Sequence, residues 1–384
     1  MITPSLQRKR FEVLDSWRGI CALIVVLGHY ITFFRNGFNL GSVVNNNYVF
    51  VDFFFVLSGF VIARNYWEKL KTKTELRRFM IVRWGRVYPL HAFMLILFIG
   101  LEYARSSVEG DAMFSSQVKS FESLIENIFL VHSMGVYPSL SWNFPSWSIS
   151  VEFFSYLTFA VLLLVVGPKR LPAISIIIAL AAPIILWVFV REYEAAYTYD
   201  YGFIRCLGGF FAGVLVCKLY EKSQVKLDQI GTGHATFLEI LMLVSVVLFT
   251  MNVDNTYLSY AAPYLFAVCV LVFAIEGGYV STALKTKPFL FLGALSYSLY
   301  MTHAFVQRVM VNGIDIIEKY VGLDWVRQGV NKEDPTDIAR YFDVGIPMAV
   351  LLTGIMLVAV VLFSTITYNL IEKPLYSWIK SRVR

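Results

Sequence analysis

Arg18 and His29 stand eleven residues apart inside one otherwise apolar segment, residues 14–34. At ~100° per residue this spacing brings both side chains to nearly one face of a helix, ~16 Å apart along its axis. Ionisable residues inside a membrane helix are costly and mark functional sites. A guanidinium near one end and an imidazole near the other fit a ligand lying along the membrane normal. Histidine stays neutral near pH 7 and can act as a base towards an alcohol. A second pattern is basic: Arg83 and Arg86 are three apart, hence on one helical face, and Arg78 is close by. Paired guanidinium groups suit bidentate phosphate binding. The same basic stretch, with Lys69, Lys71, Lys73 and Arg77, also reads as a solvated loop facing anionic lipid. A ligand with a phosphate-bearing end at these arginines and a reactive end near His29 has the form of an acyl-coenzyme A. Its pantetheine arm is comparable in length with the Arg18–His29 separation.

Four further polar residues fall at one depth with His29. Asp52, Glu152, His303 and Arg205 each interrupt a different apolar run, and the implied helix directions put them in the outer third of the membrane. Each also has a structural reading. A membrane histidine can bridge helices by hydrogen bonding. Asp52 and Glu152 stand near helix N-termini, where the dipole favours carboxylates. Arg205 can simply pair with an acid. The shared depth favours a common site, in which Asp52 or Glu152 orients His29 or contacts the acceptor and His303 lines the cavity.

The elements that must position these groups are membrane helices. The chain has 384 residues, 57% of them hydrophobic, and a mean hydropathy of +0.62. Long uncharged runs cover residues 171–190, 257–275, 289–307 and 344–368, each about enough to cross a ~30 Å hydrocarbon core. Continuous hydrophobicity points to helices rather than a barrel. The expected fold is therefore all-α and polytopic, with about ten transmembrane helices. They start near Leu14, Tyr48, Val87, Ser146, Leu171, Tyr201, Ala235, Tyr257, Phe289 and Val344. Of the 33 Lys and Arg, 22 fall in one alternating set of connections and the termini, and 9 in the other. This bias assigns both termini to the cytoplasm. It also accounts for the positive net charge without nucleic acid. Residues 102–145 and 311–343 then form long outer connections; the first holds a short apolar piece, 124–131, expected to be re-entrant or interfacial. Arg18 interrupts the first apolar run, so no cleavable signal is expected. The four cysteines lie in apolar segments without paired or metal-like spacing. The His, Asp and Glu candidates sit on separate segments, so no metal is implied. With no internal repeat or composition shift, residues 1–384 read as a single membrane domain. A proton-coupled transporter is the rival reading, since it too needs intramembrane His, Asp and Arg. The Arg-x-x-Arg pattern and the lack of inverted repeats weigh against it.

Six motifs in order resemble the acyltransferase-3 family of bacterial membrane O-acyltransferases. They are Leu14-Asp15-Ser16-Trp17-Arg18-Gly19-Ile20 with Val26-Leu27-Gly28-His29, then Phe53-Phe54-Phe55-Val56-Leu57-Ser58-Gly59-Phe60, then Arg83-Trp84-Gly85-Arg86-Val87-Tyr88-Pro89-Leu90. Ser146-Trp147-Ser148-Ile149-Ser150-Val151-Glu152, Leu295-Ser296-Tyr297-Ser298-Leu299-Tyr300 through His303, and Ile371-Glu372-Lys373-Pro374 complete them. The resemblance implies transfer of an acyl group, usually acetyl, from cytoplasmic acyl-coenzyme A to a hydroxyl of a glycan or other acceptor. It carries essential roles onto Arg18, His29, Arg83, Arg86 and Glu152; Trp147, Tyr297, His303 and Arg205 are expected around the substrate cavity, and the expected location is the bacterial inner membrane. Phe153 stands where the family often has a second acid, and Thr302 where an aromatic is common. Some relatives carry an appended hydrolase-like domain; this chain is expected to be a standalone member.

Overall fold

The computed structural model describes residues 10–35, 39–110, 112–136, 139–189, 198–253, 257–330 and 338–383. Among these, ten helices are long and apolar enough to cross a bilayer. They are α1 Glu12–Ile31, α2 Phe50–Tyr66, α3 Lys73–Glu109, α4 Trp147–Val166 and α5 Leu171–Phe189. The second half comprises α6 Gly202–Leu227, α7 Thr232–Asn252, α8 Ala262–Ile275 (whose span is completed by a preceding 3-10 turn, Tyr257–Ala261), α9 Lys287–Val321 and α10 Ile346–Thr367. A π-helical turn, Tyr368–Glu372, joins α10 to a final helix, Lys373–Arg382. The described sheet is a single antiparallel hairpin, Val326–Val330 with Ile338–Phe342. It closes over the end of α1, where Phe342 N donates to Phe33 O and Arg35 N to Phe342 O (2.7 and 2.9 Å).

Most helices begin within a few residues of their expected starts; α3 does not. It begins at Lys73, fourteen residues before Val87, and runs for 37 residues. At ~1.5 Å per residue this far exceeds the hydrocarbon core. Thr72 caps its start by accepting from Glu75 N (3.2 Å), while Glu75 accepts from Lys71 N (2.8 Å). Charge along this stretch conceals a helix that projects from the bilayer. Arg83 and Arg86 thus sit inside α3, not at its beginning. The expected outer connections shorten correspondingly, because α3 continues to Glu109 and α9 to Val321. The apolar piece near 124–131 is a short helix, Phe121–Ile128.

Two parallel helix pairs frame the interior. A Cβ on Gly19 of α1 or Gly293 of α9 would collide with the other helix's backbone, and likewise Gly59 of α2 and Gly213 of α6. Inside a bilayer, small residues let helices approach closely and gain contact without a hydrophobic drive. The α1–α9 crossing sets Arg18 beside Ser296 and His29 beside Gln307. Both pairs differ by 278 in sequence, so the two helices run in parallel register. The α2–α6 crossing sets Asp52 on Arg205 at one end and Arg64 on Glu221 at the other. Arg10 and Lys380, from opposite ends of the described chain, line one cavity, so both ends emerge on one face. Met1 and Arg384, which the charge bias assigns to the cytoplasm, lie outside the described residues.

Candidate active site

A cavity of about 760 Å³ opens among α1, α2, α3, α4 and α9. Arg18, Arg83, Arg86, Glu152 and Tyr297 all line it. So do Ser58, Tyr156 and Tyr300, which the sequence reading gave no role. Six cations contribute to the wall (Arg10, Arg18, Arg64, Arg83, Arg86 and Lys380) against two acids, Asp15 and Glu152; Arg64 and Arg86 are also paired with Glu221 and Glu372 behind the wall, which still leaves the cations in excess. The space therefore favours an anionic ligand.

The two arginines of the Arg-x-x-Arg motif differ sharply. Arg86 forms an ion pair with Glu372 and packs over the Tyr297 and Tyr376 rings, 5.5 and 5.9 Å from their centroids. Glu372 is 2% exposed and also accepts from Ser298 Oγ (2.7 Å). It reaches the interior because it closes the π turn just before Lys373-Pro374. Proline lacks the N–H that an α-helix needs, and such bulges let one side chain re-aim. Gly85 permits the final helix to pack tightly through Ile379. Arg83, by contrast, sits among aromatic rings, 5.3 Å from Tyr66, 5.9 Å from Tyr156 and 6.0 Å from Phe79. Its Nη2 donates to Tyr66 OH (3.3 Å), and among the described residues it has no carboxylate partner. Ring faces hold a cation without cancelling its charge, so Arg83 keeps its charge for an anion. Arg78 lies on the exposed side of α3 and does not line the cavity.

Arg18 donates to Ser296 Oγ (2.8 Å) and pairs with Asp15 at 3.3 Å. Glu152 accepts from Tyr156 OH (2.6 Å), whose oxygen accepts from Ser58 Oγ (3.2 Å). Tyr156 is one helical turn after Glu152, a spacing that places both on one face. Tyr297 donates to Val87 O (2.5 Å).

His29 lies beyond this cavity rather than in its lining. Tyr300 stands between: it lines the cavity, its ring is 5.9 Å from that of His303, and His303 is 5.0 Å from His29. Ser148 Oγ lies 3.0 Å from Tyr300 OH. His29 Nδ1 faces Val25 O at 2.9 Å. A carbonyl only accepts, so Nδ1 carries the proton and Nε2 the lone pair that a base requires.

Asp52 and Arg205 lie elsewhere. Arg205 donates to both carboxylate oxygens (3.0 and 2.8 Å) and to Tyr48 O (2.8 Å), and covers the Trp147 ring at 5.6 Å. The pair borders a separate pocket of about 30 Å³. The shared depth thus resolves into three places: the Asp52–Arg205 pair, the His29–His303 pair, and Glu152 in the arginine cavity. Among the described residues, no group of three or more His, Cys, Asp or Glu could hold a metal ion.

The chain matches the acyltransferase domain model of the acyltransferase-3 family over residues 11–369 and belongs to that family. The chain is similar to the peptidoglycan O-acetyltransferase OatA of Listeria monocytogenes, 25% identical over 332 residues, covering 78% of this chain and 50% of that protein. It is 34% identical to the acyltransferase MdmB of Streptomyces mycarofaciens over 113 residues, 28% of this chain and 26% of that protein. It is 40% identical to protein 2 in the picA locus of Rhizobium radiobacter over 90 residues, 23% of this chain and 44% of that protein. The chain spans about half or less of the length of these relatives. No solved structure matches it significantly.

Proposed function

We propose that this protein is a membrane O-acyltransferase that moves an acyl group, acetyl first among candidates, from acyl-coenzyme A to a hydroxyl of a cell-surface or exported glycan. The reading rests on one observation above all: Arg83, kept in an aromatic cage without a counter-charge among the described residues, in a cavity whose wall carries more cations than acids. Family membership supplies the reaction class. The OatA relative is named for an O-acetyltransferase acting on peptidoglycan, which supports a glycan acceptor.

In this reading Arg83 binds a phosphate of the donor as a charge-assisted fork, and Arg18 holds the arm on its way along α1. The thioester passes the Tyr300 layer to reach His29. His29 Nε2 takes the proton of the acceptor hydroxyl, and the oxygen attacks the thioester carbonyl directly. Glu152, tied to Tyr156, shapes the cavity beside Arg83. The protein spans the bacterial cytoplasmic membrane as one domain. Its termini and donor cavity face the cytoplasm, where the donor is made, and His29 lies towards the other face. The purified protein should turn over acetyl-coenzyme A in detergent and release free thiol. Mass spectrometry of surface glycans with and without the protein should show a hydroxyl-linked acyl group that depends on it. A protein that binds but never consumes acyl-coenzyme A would instead fit a transporter.

A further inference from the structure

Two imidazoles from different helices meet at the end of the α1–α9 crossing farthest from the chain ends. The rings of His29 and His303 are 5.0 Å apart, and Phe144 packs on both, at 5.0 and 6.0 Å. Each Nδ1 faces a backbone carbonyl: Val25 O at 2.9 Å for His29 and Tyr300 O at 2.7 Å for His303. Nδ1 is therefore the donor in both neutral rings, and each Nε2 holds a lone pair. His29 is partly exposed. His303 is fully buried, and among the described residues its Nε2 has no hydrogen-bond partner. A buried acceptor without a donor is costly and needs an explanation. The placement is firm, since Gln307 Nε2 donates to His29 O (2.8 Å) and Gly19 and Gly293 lock the crossing.

We propose that His303 is the proton partner of His29. It accepts a hydrogen bond from the imidazolium that forms when His29 deprotonates an acceptor hydroxyl. The inference rests on the acyltransferase reading above. As the acceptor O–H bond breaks, a His29 Nε2–H bond forms. The oxygen attacks the thioester carbonyl carbon, the C–S bond breaks, and sulfur leaves as thiolate. The proton then passes from His29 to the thiolate, leaving an ester, a thiol and two neutral imidazoles. His303 exchanges only a hydrogen bond, so it is a positioning residue that acts through His29. Neutral His29 has no proton on Nε2 to offer it; protonated His29 has one.

Among the described residues, other charges on the elements packed against α1 and α9 are engaged elsewhere or absent: on α3, His91 faces Asn127 O and Glu102 pairs with Arg105 and Lys119, and in the hairpin Arg327 pairs with Asp324 and Asp343 and Arg340 with Asp315. From α2, the acid nearest in depth is Asp52, already bound by both oxygens to Arg205 of α6. Helices α8 and α10, and the segments Ser42–Asn45 and Tyr279–Leu284, also pack on α1 and contain no His, Asp, Glu, Lys or Arg. On α9, Arg308 follows Gln307 by ~100° and faces away from His303. Tyr30, beside His29 on α1, is turned by the same angle.

The test uses the full chain in detergent, with acetyl-coenzyme A and a soluble chito-oligosaccharide as donor and acceptor. His303→Leu should lower kcat ~10–100-fold, less than loss of the base itself, with the KM for acetyl-coenzyme A within about twofold of wild type. His303→Gln, which returns an acceptor oxygen near the Nε2 position, should recover most of the loss. A second readout needs no turnover: the pH dependence of His29 modification by diethyl pyrocarbonate, followed by peptide mass spectrometry. In His303→Leu, the pH at which His29 becomes reactive should fall by about one unit, and in His303→Gln it should return towards wild type. An unmoved modification profile in His303→Leu overturns the proposal, as does unchanged kcat. A wild-type protein inert to acetyl-coenzyme A whose His29 profile still shifts would refute acyl transfer while supporting the imidazole pair.

Discussion

Arg86 of α3 and Glu372 of the final π turn form an ion pair across 286 residues of sequence, and that pair separates the two arginines of one motif. Arg86 is committed to a buried carboxylate. Arg83, three residues earlier, has only neutral partners among the described residues. The motif thus combines an anchor for the last span with a cation left without a counter-charge among the described residues.

The two arginines should therefore fail differently. Arg83→Ala should abolish coenzyme A binding by calorimetry while leaving the melting temperature nearly unchanged. Arg83→Lys should not restore binding, because an ammonium cannot reproduce a planar fork stacked on rings. Arg86→Ala should strand Glu372 as a buried, unpaired charge, which costs about 3–5 kcal/mol. The double variant Arg86→Gln with Glu372→Gln should regain much of that stability. Equal losses of binding without loss of stability in both single variants would return Arg86 to the ligand.

His29→Ala should reduce acyl transfer by ~10²–10⁴-fold, the usual effect of losing a general base. Coenzyme A binding should survive, since His29 lies beyond Tyr300 and outside the lining of the arginine cavity. Near-normal turnover in the purified variant would remove His29 from the chemistry.

Much of this arrangement was legible in the sequence because a helix repeats at ~3.6 residues per turn. The Arg18–His29 spacing fixed a stripe on α1, and hydropathy located the spans. The start of α3 was concealed, because hydropathy marks only apolar stretches and residues 73–86 carry Lys73, Arg77, Arg78, Arg83 and Arg86. Depth alone put Asp52, Glu152, Arg205, His29 and His303 in one layer. It could not tell which way each faced around its helix, so Asp52 was grouped with His29 although it binds Arg205. Glu372 lay within a recognised motif but gained a role only when the fold brought it to Arg86. Tyr156 could have been found as the residue one turn after Glu152.

The glycine crossings should be the most sensitive positions in the fold. Gly213→Leu would drive a side chain into the Val56 backbone, and Gly293→Leu into that of Asp15. Both should prevent folding or lower the detergent melting temperature by many degrees. Gly354→Leu is the control, because a Cβ there meets nothing within 4 Å. Equal tolerance at all three positions would show that close helix approach does not organise this bundle.

Topology can be read chemically, because all four native cysteines are buried and give little background. A cysteine at Arg78, on the exposed side of the projecting α3, should react with a membrane-impermeant maleimide only after the cells are opened. A cysteine at Arg327, in the hairpin over α1, should react in intact spheroplasts. The 22-to-9 bias of Lys and Arg sets that direction, and both sites carry exposed side chains or partly exposed strand positions. Which of the two cysteines reacts first matters for mechanism as well. Arg83 lies on the same helix as Arg78, one to two turns further along, so labelling at Arg78 from inside places the donor cavity on the side where acyl-coenzyme A is made. Labelling of Arg78→Cys in intact spheroplasts, with protection at Arg327→Cys, would invert the protein and leave that cavity facing a compartment without its donor.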